Sequence, residues 1–306
     1  MPNTLKNWFL LKINQFKSLL SFFSMFRLIL LLLLAVSVGF AAPALTVSVP
    51  LAPYAKIVQK VAGNLVDVVT LVPKNANPHT FEPKPDILKK FSEVSLYFGD
   101  GSGLDNAWRP RFLGVNPNVQ VVDISEGVSF IAEEHSHGEE HGEELDPHLW
   151  NSPRTAILLA SNVCRALVAA DAPHAGTYRA NLEKFSKELS ELDVRFADAL
   201  REISEERRTF IVFHPSYGYL ARDYGLKQIA VEMNGKEPKP RDLRNLVTAA
   251  KKNHVKTVFV QPQFSRRAAE SLSKEIGAKI VSIDPLAYDF DEELQRFLDA
   301  LLEVRK

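Results

Sequence analysis

Residues 178–203 read "YRANLEKFSKELSELDVRFADALREI". The large apolar residues Tyr178, Leu182, Phe185, Leu189, Leu192, Phe196, Leu200 and Ile203 step by four or three throughout, which lines one face of an α-helix. No Gly or Pro interrupts 177–208, so a helix within 173–206 can run about 30 residues, or about 45 Å at 1.5 Å per residue. That exceeds the usual length in a globular domain. It reads as a strut between two lobes, 42–172 and 207–306.

Both flanks alternate β-rich runs with helical patterns. Upstream lie strands "LTVSV" (45–49), "VDVVTLV" (66–72), "SLYFG" (95–99) and "VQVVDI" (119–124), with helices at 54–63 and 84–94. Ser152 and Pro153 then open another helix, Ser as N-cap and Pro at the first position. Its apolar face carries Ala156, Ala160, Val163, Cys164 and Leu167. Downstream, "TFIVF" (209–213), "LKQIAV" (226–231), "KTVFV" (256–260) and "AKIVSI" (278–283) alternate with helices at 240–253, 266–277 and 291–304. Strands separated by helices favour parallel pairing. The expected fold class is α/β: two parallel-sheet lobes joined by one long helix.

The first 41 residues differ in kind. "LILLLLLAVSVGFAA" (28–42) carries no charge, follows Arg27 and ends on small residues, the pattern of a secretory signal peptide over 1–41. The run is shorter than the roughly 20 residues that span a bilayer. No Cys follows it, so no lipid-attachment site is read there, and the expected location is periplasmic. Met25 is a second possible start. Without 1–41 the chain keeps 33 basic against 37 acidic residues; that balance, with no basic stripe, argues against nucleic acid. The single cysteine, Cys164, excludes an internal disulfide and reads as a small core residue.

Candidate ligands fall at strand ends. "VDVVTLV" leads to His79, "TFIVF" runs into His214, and "AKIVSI" runs into Asp284; "DPHLW" adds His148. Each adjoins a proline, which stiffens the backbone there, and the carboxyl ends of strands line the crevice of open α/β sheets. Two candidates come from each lobe, which puts the crevice between lobes. Three imidazoles and a carboxylate make a set that Zn²⁺ accepts. The segment 132–145 interrupts the alternation with "AEEHSHGEEHGEEL", a loop that concentrates His135, His137 and His141 among glutamates. Imidazole beside carboxylate suits borderline divalent metals, so these three are read as auxiliary chelators, with an inert acidic spacer as the alternative. His174 and His254 read as surface residues.

"NPHTFEPKPDILKKFSEVSLYFGDGSGLDNAW", "DPHLWNSP", "FHPSYGYLARDYGL" and "QPQFSRRAAESLSKEIGAKIVSIDPL" together resemble the metal-binding solute receptors of bacterial zinc/manganese ABC transporters, from about residue 45 to the C-terminus. The resemblance implies metal held between two α/β lobes, with His79, His148 and His214 matching the family's first three ligands. Asp284 matches the acidic residue that completes the site in some members. Manganese-type members often carry a carboxylate where this chain has His214, and zinc-type members frequently insert a His- and acid-rich loop before the second ligand. Imidazole ligands likewise favour zinc over manganese. The expected function is therefore an extracytoplasmic receptor, a monomer, passing Zn²⁺ to an ABC permease and its ATPase. A manganese or iron receptor of the same family is the alternative. An adhesin finds no partner surface in the sequence. A zinc hydrolase is the enzyme reading, but no HExxH is present, and Glu82 or Glu232 would have to serve as base.

Overall fold

The computed structural model describes residues 45–132, 145–232 and 238–303. The expected signal peptide lies outside the described residues, as do His135, His137 and His141. Two four-stranded sheets form, and every strand pair in both is parallel. The first contains β1 (Leu45–Val49), β2 (Val66–Thr70), β3 (Leu96–Gly99) and β4 (Gln120–Asp123), in the order β2-β1-β3-β4. The second contains β5 (Thr209–Val212), β6 (Lys227–Ala230), β7 (Thr257–Val260) and β8 (Lys279–Ser282), in the matching order β6-β5-β7-β8. Both orders reverse direction beside their first strand, and a ligand crevice opens beyond the carboxyl ends at such a switch point.

The helices are α1 (Ala52–Ala62), α2 (Pro85–Phe91), α3 (Gly103–Val115), α4 (Pro153–Ala170), α5 (Ala175–Arg201), α6 (Gly218–Tyr224), α7 (Pro240–Lys252), α8 (Arg267–Ile276) and α9 (Phe290–Glu303). The long helix is α5. It spans 27 residues, about 40 Å, shorter than the expected span at both ends because residues 172–174 and 205–207 form separate single turns. Its stripe is buried at Tyr178, Phe185, Leu189, Leu192, Phe196 and Leu200. Each such side chain contributes about 1.5–3 kcal/mol on leaving water. These residues join one hydrophobic cluster that also holds Val47 and Phe98 of the first sheet and Phe210, Val212 and Phe259 of the second. The helix is thus the spine of a shared core.

Strand alternation explains why both sheets read as continuous apolar runs. On β5, Phe210 and Val212 face the shared core while Ile211 joins a separate cluster with Val258, Val260, Leu246 and Leu272. On β3, Leu96 and Phe98 face the shared core, and Tyr97 packs with Phe91 and Phe112 on the other side. A parallel sheet covered on both faces has no polar side to show.

Two sequence readings change. Helix α3 occupies residues to which no element is assigned from sequence, because internal Pro110 and two glycines weaken its helical signal. Ser152 sits at the N-cap of α4 but makes no capping bond; its hydroxyl donates to Asp223 of α6 instead. Cys164 is buried and free, and His174 and His254 are exposed.

Candidate metal centre

Three loops bring three histidines together. His79 lies on a single turn, Pro78–Thr80, after β2, where Asn77 Oδ1 accepts the His79 backbone N–H at 2.9 Å. His214 follows β5 after one residue, Phe213. Its backbone is gripped by the side-chain amide of Gln261, which follows β7: His214 N–H donates to Oε1 at 2.7 Å and Gln261 Nε2 donates to the His214 carbonyl at 2.8 Å. The two residues thereby bridge the switch point of the second sheet.

His148 belongs to residues 146–151, which are bolted to elements beyond α5. Tyr219 Oη donates to the Asp146 carbonyl at 2.8 Å, Asn151 Nδ2 to the Ser216 carbonyl at 2.9 Å, and Trp150 Nε1 to the Pro285 carbonyl at 2.6 Å. The segment begins at an antiparallel bridge between Ala132 and Leu145, so the ends of the His-rich loop are held beside it.

Their Nε2 atoms converge: His79 to His214 is 3.2 Å and His148 to His214 is 3.3 Å. A tetrahedral Zn²⁺ with Zn–N bonds of about 2.0–2.1 Å sets its N···N edges at about 3.3–3.4 Å. Hydrogen bonding does not account for the approach of His148 to His214. His148 Nδ1 meets Asp146 Oδ1 at 2.8 Å, and His214 Nδ1 meets Glu232 Oε1 at 2.9 Å. Each carboxylate accepts the Nδ1 proton and leaves Nε2 as a lone pair. Two lone pairs then face each other, an arrangement that a cation between them relieves. Phe264 stacks over the His214 ring, centroids 5.0 Å apart.

The electrostatics favour the neutral, ligating form of His79 and His214. His79 is exposed as a residue, but its ring tip faces His214; burial of the ring, then the facing His214 and His148, push its pKa down to about 4. Burial also lowers the pKa of His214, against the opposing pull of Glu232. Between the three rings lies a cavity of about 20 Å³, room for one ion or water. On the far side of His79 and His148 a wider cavity of about 670 Å³ opens, with Asp100 and Trp108 in its wall. Burial, then Asp105, raise the Asp100 pKa to about 6.

Among the described residues, the set whose ligand atoms lie within 4.8 Å of one another is His79, His148 and His214. Asp284 does not join it. Its Oδ1 accepts Gln263 Nε2 at 2.7 Å and the Leu286 backbone N–H at 3.0 Å, so the turn that Pro285 shapes keeps the carboxylate occupied. The sequence reading missed three supporting groups, Asp146, Gln261 and Glu232 in its role beside His214. Glu232 and Gln261 each follow a strand of the second sheet, and that position was the available signal.

The family model for the zinc-uptake complex component A, periplasmic, matches residues 47–304. A crystal structure of ZnuA superposes with a TM-score of 0.80 at 34% identity, covering 86% of this chain and all of that one (100%). FpvC of Pseudomonas aeruginosa, solved in complex with Mn²⁺, gives a TM-score of 0.75 at 25% identity, covering 85% of this chain and 98% of that one. The zinc-binding lipoprotein AdcA of Streptococcus pneumoniae is 29% identical over 76% of this chain; the match spans 48% of AdcA, about half its length. With its two parallel sheets, long helix and histidine cluster, the chain belongs to the family of the periplasmic zinc-uptake complex component A, metal-binding substrate-binding proteins of ABC transporters rather than enzymes.

Proposed function

We propose that the protein is an extracytoplasmic zinc receptor that binds one Zn²⁺ through His79, His148 and His214 and delivers it to an ABC permease and its ATPase. One observation carries the reading: three histidine ligand atoms lie within 4.8 Å of one another, with the His79–His214 and His148–His214 Nε2 pairs at tetrahedral edge spacing and a carboxylate at Nδ1 of both His148 and His214. Three imidazoles form a borderline-soft set, which suits zinc better than manganese, an ion of carboxylate and water sites. Zinc in the names of AdcA and of the matching family supports the same choice. Manganese is the second reading, favoured by FpvC with its bound Mn²⁺.

Asp284 is the proposed fourth ligand, and it must turn away from Gln263 and the Leu286 N–H to serve. Water or another carboxylate is the competing occupant, and Asp284→Asn tests Asp284 against both: it weakens zinc strongly only if the Asp284 carboxylate ligates. In this reading residues 1–41 are removed on export, 42–172 and 207–306 are the lobes, and 173–206 connects them. His135, His137 and His141 add weaker binding beside the tight site.

Metal analysis of protein purified without chelator, followed by Zn²⁺/Mn²⁺ competition, tests the proposal. The expected result is one zinc per chain, retained against excess manganese, and lost in His214→Ala. Preferential retention of manganese would favour the second reading.

A further inference from the structure

Asp146 and Glu232 touch the histidines on the side away from the cavity, and both are buried, 4% and 2% exposed. Burying a carboxylate costs several kcal/mol when no opposite charge accompanies it. Among the described residues neither has such a partner: the side-chain group each meets is an imidazole. Among the described residues, Glu232 Oε2 has no hydrogen-bond partner, and no Lys or Arg lines either cavity beside the histidines. Two acidic groups, one before the long helix and one after it, are therefore held in the interior with no cationic side chain among the described residues beside them.

The metal reading supplies what is missing, and the inference rests on it. Imidazoles ligate in their neutral form, so an ion bound by three of them brings its entire charge into the site. We propose that Asp146 and Glu232 are the preset counter-charge for a divalent ion, acting through His148 and His214 as positioning residues, and that they select ions by charge. Each carboxylate orients its ring with Nδ1–H outward and Nε2 inward, and places one negative charge a ring's width from the ion. Two such charges balance M²⁺ when water is the fourth ligand; with Asp284 ligating, the site keeps one net negative charge. A monovalent ion leaves one of them buried and uncompensated.

The surroundings hold these groups in place before metal arrives. Asp146 Oδ1 also accepts the His148 backbone N–H at 2.8 Å, and its Oδ2 fills the space beside Gly218, where a Cβ would lie 2.3 Å away. Gln261 holds the His214 backbone independently of Glu232. Among the described residues no carboxylate is bonded to the His79 ring; its ring nitrogen faces His214.

Glu232→Gln and Asp146→Asn test this, because each keeps an oxygen to accept the imidazole N–H and removes only the charge. Zn²⁺ affinity is measured on the whole exported chain by competition with a chromophoric chelator. Cu⁺ affinity is measured in parallel under anaerobic, reducing conditions, since Cu⁺ has the same filled d shell as Zn²⁺. Circular dichroism and the visible spectrum of Co²⁺-loaded protein check fold and coordination. Each variant should lose about 10–100-fold in Zn²⁺ affinity. Coulomb energy scales with the charge of the ion, so the Cu⁺ loss should be about the square root of that, about 3–10-fold. Unchanged Zn²⁺ affinity in both variants overturns the proposal, and so does an equal loss for the two ions, which marks a purely geometric role. Should one variant misfold, the other still decides. Failure of the unmodified chain to hold one zinc is a different result: it removes the metal reading itself.

Discussion

Gly218→Ala puts one methyl group where the structure has no room for it. A Cβ built on Gly218 lies 2.3 Å from Asp146 Oδ2 and 2.8 Å from Ile131 Cδ1, against 3.4 Å for ordinary contact. The backbone conformation at Gly218 is one that alanine adopts freely, since it is absent from the positive-φ residues, so the effect is steric alone. Asp146 must retreat by about 1 Å to restore contact. Its Oδ1 accepts His148 N and Nδ1 at 2.8 Å each, and the same retreat stretches both bonds past the range in which they count. Overpacking costs about 1–3 kcal/mol, and hydrogen bonds to a charged group about 1.5–3 kcal/mol. A loss of about 2–4 kcal/mol follows, or roughly 5–15 °C in Tm for a chain of this size. His148 loses its orienting partner, so zinc affinity should fall at least about tenfold. Gly176→Ala is the control. It lies in α5 with nothing within 4 Å of the added methyl, and should stabilise by about 0.5–1 kcal/mol through helix propensity. Thermal unfolding of metal-free protein and zinc titration measure both. A Gly218→Ala protein with parental Tm and parental zinc affinity would refute the steric coupling of Gly218 to Asp146 and His148.

Three further outcomes are expected. His79 is held near a pKa of about 4 against about 6.5 in an unfolded chain. Between those values the unfolded state binds the extra proton, so the stability of metal-free protein should decline as pH falls from 6.5 towards 4; His79→Gln should flatten that slope in denaturant titrations at several pH values. Deleting residues 133–144, between the bridged Ala132 and Leu145, should leave the tight zinc in place. It should also abolish weaker binding that fades as ordinary imidazoles protonate near pH 6, and calorimetry that finds the same zinc stoichiometry in both forms at saturating metal would reduce the loop to a spacer. Mass spectrometry of the exported chain should find an N-terminus near residue 42, whereas retention of 28–41 would mean a tethered receptor.

The order of strands and helices was legible because the inner strands β3, β5 and β7 are buried on both faces, leaving short apolar runs bounded by turns, as at 209–213 and 256–260. The long helix was legible from its stripe. Its packing was not, since periodicity shows a buried face without showing that α5 lies in a core shared by both sheets. Helix α3 escaped because Pro110 and its glycines reverse the local preferences that tertiary contacts override, such as Phe112 packed against Phe91 with ring centroids 4.7 Å apart. The strand-end rule nominated His79 and His214, and the structure brings them together with His148. The same rule nominated Asp284, whose carboxylate is turned to Gln263 and the Leu286 N–H. A residue number at a strand end specifies where a side chain starts; hydrogen bonds across the crevice decide where it points. Asp146 and Glu232 illustrate the converse, because their importance lies in the Nδ1 atoms they meet, contacts made across the fold for Glu232 and through a two-residue turn for Asp146.

X-ray absorption at the zinc K-edge of the loaded, exported chain tests the site most directly. The expected first shell is four-coordinate, with three imidazole nitrogens at about 2.0–2.1 Å and one oxygen, and His214→Ala should remove one imidazole from the multiple-scattering pattern. A shell dominated by oxygen, or one in which His79→Ala, His148→Ala and His214→Ala each leave the imidazole count unchanged, would contradict the three-histidine zinc site.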